Sequence, residues 1–460
     1  MGFKKGLKWK KLTLSFGKGK RKIEYKKDLG WKACYDEQRN LYSAKRSWRG
    51  SYHLYEINKE IYDKLGEDKG DGHYNNKLIM EGRLLFESDD DYYTMPYYHV
   101  ADEKYHELAP WSGAKWIADK TDVMYRRNGL VEEFPGLYLC FGISKKNNTK
   151  KVYGVFDKEN NFRVDLGTMF PACSISKFVT AICVMKMQEL KLIDIDDNVN
   201  KYLSQWKLLT LDGNESDASI RSLLSHTAGI IDDEDGFCGL RMGDPEVSLL
   251  DILDGKTKYN NRPARAEKLQ GTSFEYSDAG YCVLQLMIQE VTGKAFEDAV
   301  QEMVFDGLEL ENSFFATPKN IETFNARMAI GYDEKGEPIP GKFPLVPDLA
   351  ASGLWSTAED LLVIAAEFLK ALKGKSNLLQ KETAQEMIKP VENFAWTGLG
   401  IFLDGEDTLV SKGWGENGQC MMKMHIKKGE ISVAMTNMNP GVDQSESGIE
   451  WLVNCYTFFI

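Results

Sequence analysis

No stretch of this chain approaches the ~18–20 consecutive apolar residues that span a bilayer, so no transmembrane segment is expected. The first residues, MGFKKGLKWKKLTLSFGKGKRK, are basic but lack the apolar core of about 7–15 residues that marks a secretory signal. Closely spaced cysteines are missing too. Cys34, Cys140, Cys173, Cys183, Cys238, Cys282, Cys420 and Cys455 include no C-x-x-C, and most sit in apolar stretches such as Ala181-Ile182-Cys183-Val184-Met185. They read as small buried hydrophobes in a reducing compartment, and the expected location is cytoplasmic. Histidine is scarce. His53, His73, His99, His106, His226 and His425 form no H-E-x-x-H and pair with no cysteine at zinc spacing, so neither a metal nor an organic cofactor is expected. No G-x-S-x-G elbow is present to begin a Ser-His-Asp hydrolase, and no internal repeat is visible.

What is present is ordinary globular composition, 43% apolar and 28% charged over 460 residues, a length that favours two domains. Charge is unevenly placed. The net charge is −11, yet residues 1–27 carry eleven Lys/Arg against one Glu, leaving −21 on the rest. Such an arm is expected to lie solvated against its own acidic body, with no nucleic-acid partner. Residues 28–114 are rich in Tyr, Trp and charge and read as a small N-terminal domain of unknown role. Within it Tyr52–Ile57 reads as a strand or helix start, Lys64–Asn76 as a loop, and Asp89-Asp90-Asp91 as a solvated turn.

From residue 115 to 460 the pattern changes. Lys120–Val131 reads as a helix. Leu137–Ser144 and Val152–Phe156 read as strands joined by a turn at Lys145–Asn148. Helices are expected at Phe178–Leu190, Ile220–Ser225, Ala279–Thr292 and Thr357–Lys370, the last with a capping box from Ser356 and Glu359. Strands return at Cys420–His425 and Ile431–Thr436. Strands at both ends around a helical middle make the domain α+β.

Four S-x-x-K copies begin at Ser15, Ser112, Ser174 and Ser204, but only Ser174 opens a long apolar helix. A serine there feels the positive end of the helix dipole, and its own N–H points out of the helix end, free to hold an oxyanion. Lys177 lies one turn on, on the same face, where a buried amine can take the serine proton. Cys173 reads as a packed neighbour. About a hundred residues later, Gly271-Thr272-Ser273-Phe274-Glu275-Tyr276-Ser277-Asp278 leads into another helix, with Tyr276 at the loop tip as a further proton-transfer group.

This ordered set resembles the class C β-lactamase and penicillin-binding-protein superfamily, which includes D-aminopeptidases and family VIII esterases. Ser174-Ile175-Ser176-Lys177 resembles its S-x-S-K, and Tyr276-Ser277-Asp278 its Y-x-N. Ile220–Gly229 resembles its I-R-x-L-L-x-H-T-S-G segment, and Ala350–Asp360 its A-A-G-G-L-x-S-T-A-x-D turn. The resemblance covers about residues 115–460. It implies a β-lactamase/transpeptidase-like α+β fold: an antiparallel sheet flanked by helices, plus a mostly helical subdomain. It also implies a serine hydrolase acting through an acyl-enzyme on an ester, D-amino-acid amide, peptide or lactam, with Ser174, Lys177 and Tyr276 catalytic and His226 structural. The expected partner is a small-molecule or peptide-like substrate.

Two departures stand out. Asp278 replaces the usual asparagine, and a carboxylate there would pair with Lys177 and raise its pKa, or else serve a different substrate. The third motif, K/H-x-G, is altered in Ser411-Lys412-Gly413-Trp414-Gly415-Glu416-Asn417-Gly418. One frame puts Gly413 at the cation position and Gly415 at the glycine. Another puts Trp414 at the cation position, and Lys412 is the nearest actual cation. Asp278, Lys412, Trp414 and Gly415 thus mark the expected substrate and oxyanion region. The alternative function is a fold retained as a binding or scaffold module.

Overall fold

The computed structural model describes residues 12–16, 19–28, 31–36, 40–48, 51–67, 72–87, 133–233, 235–241, 244–310 and 312–454. The helix expected over Lys120–Val131, the acidic triplet Asp89–Asp91 and the S-x-x-K copy at Ser112 lie outside them. The chain divides into two compact units, Met1–Leu130 and Val131–Ile460.

The first unit is a six-stranded antiparallel meander in sequence order: β1 (Leu12–Phe16), β2 (Gly19–Asp28), β3 (Trp31–Asp36), β4 (Leu41–Trp48), β5 (Ser51–Ile57) and β6 (Arg83–Glu87). Residues 12–28, expected within or beside a basic arm, therefore form a hairpin. Its Lys26 Nζ donates to the Tyr62 and Asp63 carbonyls at 2.7 and 2.9 Å. Those carbonyls end α1 (Lys59–Lys64), whose first turn is capped by Asn58 Oδ1 accepting from Ile61 N. The cation thus satisfies helix-terminal carbonyls. The loop expected over Lys64–Asn76 is shorter than that. A second helix, α2 (Gly72–Met80), begins inside it because Leu78 and Ile79 anchor it in the core with Trp31, Ala33, Ala44, Tyr55 and Ile57.

The second unit holds a seven-stranded sheet, ordered β13-β14-β15-β16-β7-β8-β9. Its strands are β7 (Gly136–Ser144), β8 (Asn147–Asp157), β9 (Phe162–Arg163), β13 (Phe402–Leu403), β14 (Thr408–Gly415), β15 (Gly418–His425) and β16 (Glu430–Thr436). All neighbours are antiparallel, and the C-terminal strands join the N-terminal hairpin through β16 and β7. A small sheet of β10 (Phe170–Pro171), β11 (Phe314–Phe315) and β12 (Leu354–Ser356) leads into the site, with β12 between the other two.

The central helix α3 (Ile175–Glu189) is buried on every face from Ile175 to Met185, as expected of a helix that packs against the sheet and other helices at once. Around it lie α4 (Ile220–Leu224), α5 (Asp278–Thr292), α6 (Leu349–Ser352) and α7 (Ala358–Ala371), while α8 (Ile449–Asn454) packs on β15 and β16. Phe178 meets Phe368 edge to face at 5.2 Å, tying α3 to α7. The capping box expected at Ser356 and Glu359 is not what starts α7. Thr357 caps it, accepting from Asp360 N at 3.1 Å, because Ser356 is still in β12, where its hydroxyl meets Ser313. Glu359 turns instead to Lys150 at 2.9 Å. No described helix is long and apolar enough to cross a membrane.

Candidate active site

The turn into α3 is built for an exposed hydroxyl. Ala172 N donates to Leu354 O at 2.9 Å, then Cys173 takes the left-handed conformation (φ 45°) that a residue with a Cβ rarely adopts, reversing the chain before the helix. Ser174 occupies the N-cap position but makes no capping bond, so its Oγ is free of the helix. Ser176 holds the turn: its Oγ donates to Cys173 O at 2.6 Å and accepts from Leu354 N at 3.0 Å. Cys173 itself is buried, and burial pushes its thiol up to about 12, so it packs rather than reacts.

Lys177 is 3% exposed. Its Nζ lies 3.1 Å from Ser174 Oγ, 3.1 Å from the Ala351 carbonyl of α6, and 2.6 Å from Asp278 Oδ1. The Tyr276 ring centroid is 4.7 Å away and the Tyr281 centroid 5.6 Å. Four residues singled out in the sequence, Ser174, Lys177, Tyr276 and Asp278, therefore meet at one point.

The loop that delivers Tyr276 is fixed from below. Ser277 N donates to His226 Nδ1 at 3.1 Å, and the His226 ring stacks on Tyr276 at 4.3 Å. A nitrogen that accepts from a backbone N–H must be unprotonated, and both burial and the Lys177 charge hold this imidazole well below its ordinary pKa. His226 is a support for the loop. Ser277 caps α5 by accepting from Gly280 N at 2.9 Å, and donates to Asp232 Oδ1 at 2.7 Å. Asp232 Oδ2 accepts from Asp278 N, which fixes the backbone that carries Asp278.

Two further carboxyl groups, Asp232 and Asp348, stand near enough to Asp278 to feel its charge. Asp348, fully buried, accepts from Tyr259 OH, and among the described residues its second oxygen has no partner. Burial, aided by the Asp278 charge, raises Asp348 to about 8 and Asp232 to about 7. Burial works against the Lys177 charge, but Asp278 and then Tyr276 outweigh it and raise its pKa. Tyr276 also sits above its ordinary pKa, because burial of the phenol exceeds the pull of Lys177. In this state the amine is protonated and the phenol neutral. Asp232, Asp348 and Tyr259 were missed in the sequence, where isolated acids and a tyrosine in loops carry no spacing signal.

The third segment sorts itself by strand alternation. Gly413 pairs with Cys420, and a Cβ on Gly413 would stand 2.3 Å from Ala172 O, so β14 passes directly behind the turn that carries Ser174. Gly415 approaches Cys173 in the same way. Lys412 and Trp414 belong to the opposite face. Lys412 pairs with Glu450 of α8 at 3.5 Å, and half-exposed Trp414 donates from Nε1 to Asn439 Oδ1 at 2.7 Å. The structure therefore keeps Gly415 beside the site and does not bring Lys412 or the Trp414 side chain to it. The physical reason is the two-residue period of the strand.

A family model described as Beta-lactamase matches residues 128–441. Among curated proteins, Protein flp of Staphylococcus aureus (strain N315) is 24% identical over 243 residues, which is 51% of this chain and 44% of that protein; this chain thus spans less than half of that relative's length. Among solved structures, EstCE1, a hydrolase with promiscuous acyltransferase activity, aligns with a TM-score of 0.58 at 21% identity, covering 72% of this chain and 98% of that one. The D-amino acid amidase from Ochrobactrum anthropi SV3, in complex with L-phenylalanine amide, aligns with a TM-score of 0.57 at 19% identity, covering 71% and 96%. At these identities the likeness to solved structures is one of fold.

Proposed function

The chain belongs to the beta-lactamase family, and from that premise we propose that it is a serine hydrolase that cleaves esters or amides through an acyl-enzyme on Ser174. The observation that carries this reading is the 3.1 Å approach of Lys177 Nζ to a Ser174 Oγ left uncapped at the mouth of a buried helix. In the reaction, Ser174 Oγ attacks the carbonyl carbon as its proton passes to neutral Lys177. Tyr276 stands beside the amine to relay that proton to the leaving amine or alcohol. The C–N or C–O bond breaks, and water then attacks the acyl-serine, its hydroxyl ending on the released acid and its second proton passing through Lys177 and Tyr276 to Ser174 Oγ.

The oxyanion is held by backbone. Among the described residues Ser174 N–H has no backbone acceptor, and β13 pairs only with Leu409 and Val410 of β14, leaving the strand edge from Ser411 to Gly415 without a strand partner on that side. An N–H from that edge supplies the second donor, a contribution worth about 10²–10³ in turnover. Esters, D-amino-acid amides and lactams form the test panel, assayed with wild type and Ser174→Ala. Turnover that vanishes in Ser174→Ala supports the reading; equal rates sink it.

One observation favours a second reading, in which the fold persists as a binding module: the Lys177–Asp278 ion pair keeps the general base protonated. Equal rates in that panel, together with tight binding of an amide or ester left intact, would establish it.

A further inference from the structure

Asp278 departs from the family pattern at the point where a substrate meets the nucleophile, and its surroundings say what it is fitted for. Its backbone N–H is held by Asp232, so the first turn of α5 fixes where the carboxylate stands. One oxygen, Oδ1, is buried 2.6 Å from Lys177 Nζ, and among the described residues it has no other partner. The side chain is 23% exposed, so it is reachable from the cleft. Lys177 Nζ is also 3.1 Å from Ser174 Oγ. A carbonyl at Ser174 and a charge on the adjoining carbon therefore fall within the span of a single amino acid.

Apart from the backbone donors assigned to the oxyanion, few groups on the described segments of the site can meet an anionic substituent. The strand position that faces the nucleophile turn is Gly413, and a side chain there would collide with Ala172 O. Among the described residues, the cations on the two segments that carry Tyr276 and Gly413 are engaged elsewhere: Lys268 with Glu275 and Lys412 with Glu450. When Lys177 is neutral, as the proposed acyl transfer requires, Asp278 is left without its matching charge, and it then favours a positively charged substituent over a negative one.

We propose that the Asp278 carboxylate receives the ammonium group of the substrate, so that the site takes amides and esters of amino acids whose amino group is free and discriminates against N-acylated and anionic ones. This rests on the acyl-serine reading above. The ammonium docks against the carboxylate edge not occupied by Lys177, with the scissile carbonyl on Ser174 Oγ.

The test uses the full chain at pH 7, where an α-amine of pKa about 7.7–8.0 is largely protonated. Alanine p-nitroanilide is compared with its N-acetyl and N-succinyl forms, in both enantiomers, for wild type and Asp278→Asn. In parallel, phenylalaninamide and N-acetyl-phenylalaninamide compete with a fluorophosphonate for Ser174. The expected result is kcat/KM at least about tenfold higher for the free amine than for the N-acetyl form, with N-succinyl lowest. In Asp278→Asn the ratio falls toward one through a higher KM for the free amine, and phenylalaninamide loses its protection of Ser174. Equal or better handling of the N-acetyl compounds by wild type, or an unchanged ratio in Asp278→Asn, overturns the ammonium site alone. Failure of the fluorophosphonate to label Ser174 in folded protein overturns the acyl-serine reading instead.

Discussion

Replacing Asp278 by asparagine should make the enzyme faster on an uncharged substrate at neutral pH. The change is nearly isosteric and leaves the Asp278 backbone bond to Asp232 in place. It removes the carboxylate 2.6 Å from Lys177 Nζ. An opposite charge at such range moves a pKa by about 1–3 units, and burial of Lys177 already pushes the other way. Lys177 then gives up its proton more readily. Each unit is tenfold in the fraction of free amine at a pH below its pKa, so the neutral base rises by about 10–10³.

Part of that gain is offset by the neighbours. The Asp278 charge helps keep Asp348 and Asp232 protonated, and without it Asp348, which also feels the Lys177 charge, can ionise and restore negative charge near the amine. Asp278→Asn combined with Asp348→Asn should therefore exceed Asp278→Asn alone. The assay is kcat/KM on p-nitrophenyl acetate from pH 6 to 10. We expect the acid limb of the profile to move down by at least about one unit, a rise of about tenfold at pH 7, and convergence with wild type at high pH. A folded variant with an unmoved acid limb and no gain at any pH would refute the reasoning that Asp278 restrains Lys177.

Gly413→Ala places a Cβ against the Ala172 carbonyl and should cost about 1–3 kcal/mol by overpacking, together with most of the turnover, whereas Lys412→Ala on the opposite face should leave kcat nearly unchanged; urea melts and ester kinetics separate the two. His226→Ala leaves the buried Ser277 N–H without its acceptor, so stability should fall by about 1–3 kcal/mol and Tyr276 should lose its support, lowering kcat more than it raises KM. Asp348 has a folded pKa raised to about 8, so its contribution is fully present below the ordinary carboxylate range and lost as pH rises toward 8. Relative to wild type, Asp348→Asn should thus gain stability between pH 5 and 9, read as a rising difference in urea midpoint; a flat difference would contradict it.

The chemistry was legible where it follows local spacing. Ser174 and Lys177 share a helix face one turn apart, and Tyr276 and Asp278 end a loop just before a helix, so pattern alone groups them in two short segments. The pairing of Asp278 with Lys177 followed from charge once the two segments were matched. Asp232 and Asp348 were not legible, because each joins the site from a separate loop and through tertiary contact only. The third motif could not be framed from sequence: Gly413 and Gly415 flank Trp414, so either alternation looked plausible until the pairing of Gly413 with Cys420 fixed the faces. In the first unit, the basic residues before Asp28 hid a hairpin, since charge masks strand alternation and Lys26 is spent on helix carbonyls. The α+β class and the antiparallel sheet were readable because β7, β8, β15 and β16 each carry long apolar or alternating runs.

The most direct measurement is mass spectrometry of the folded chain after reaction with a fluorophosphonate, followed by peptide mapping. The account predicts one adduct, on Ser174, forming faster as pH rises through the titration of Lys177 and absent from Ser174→Ala. An unmodified Ser174, or an adduct that persists in Ser174→Ala at the same rate, would contradict it.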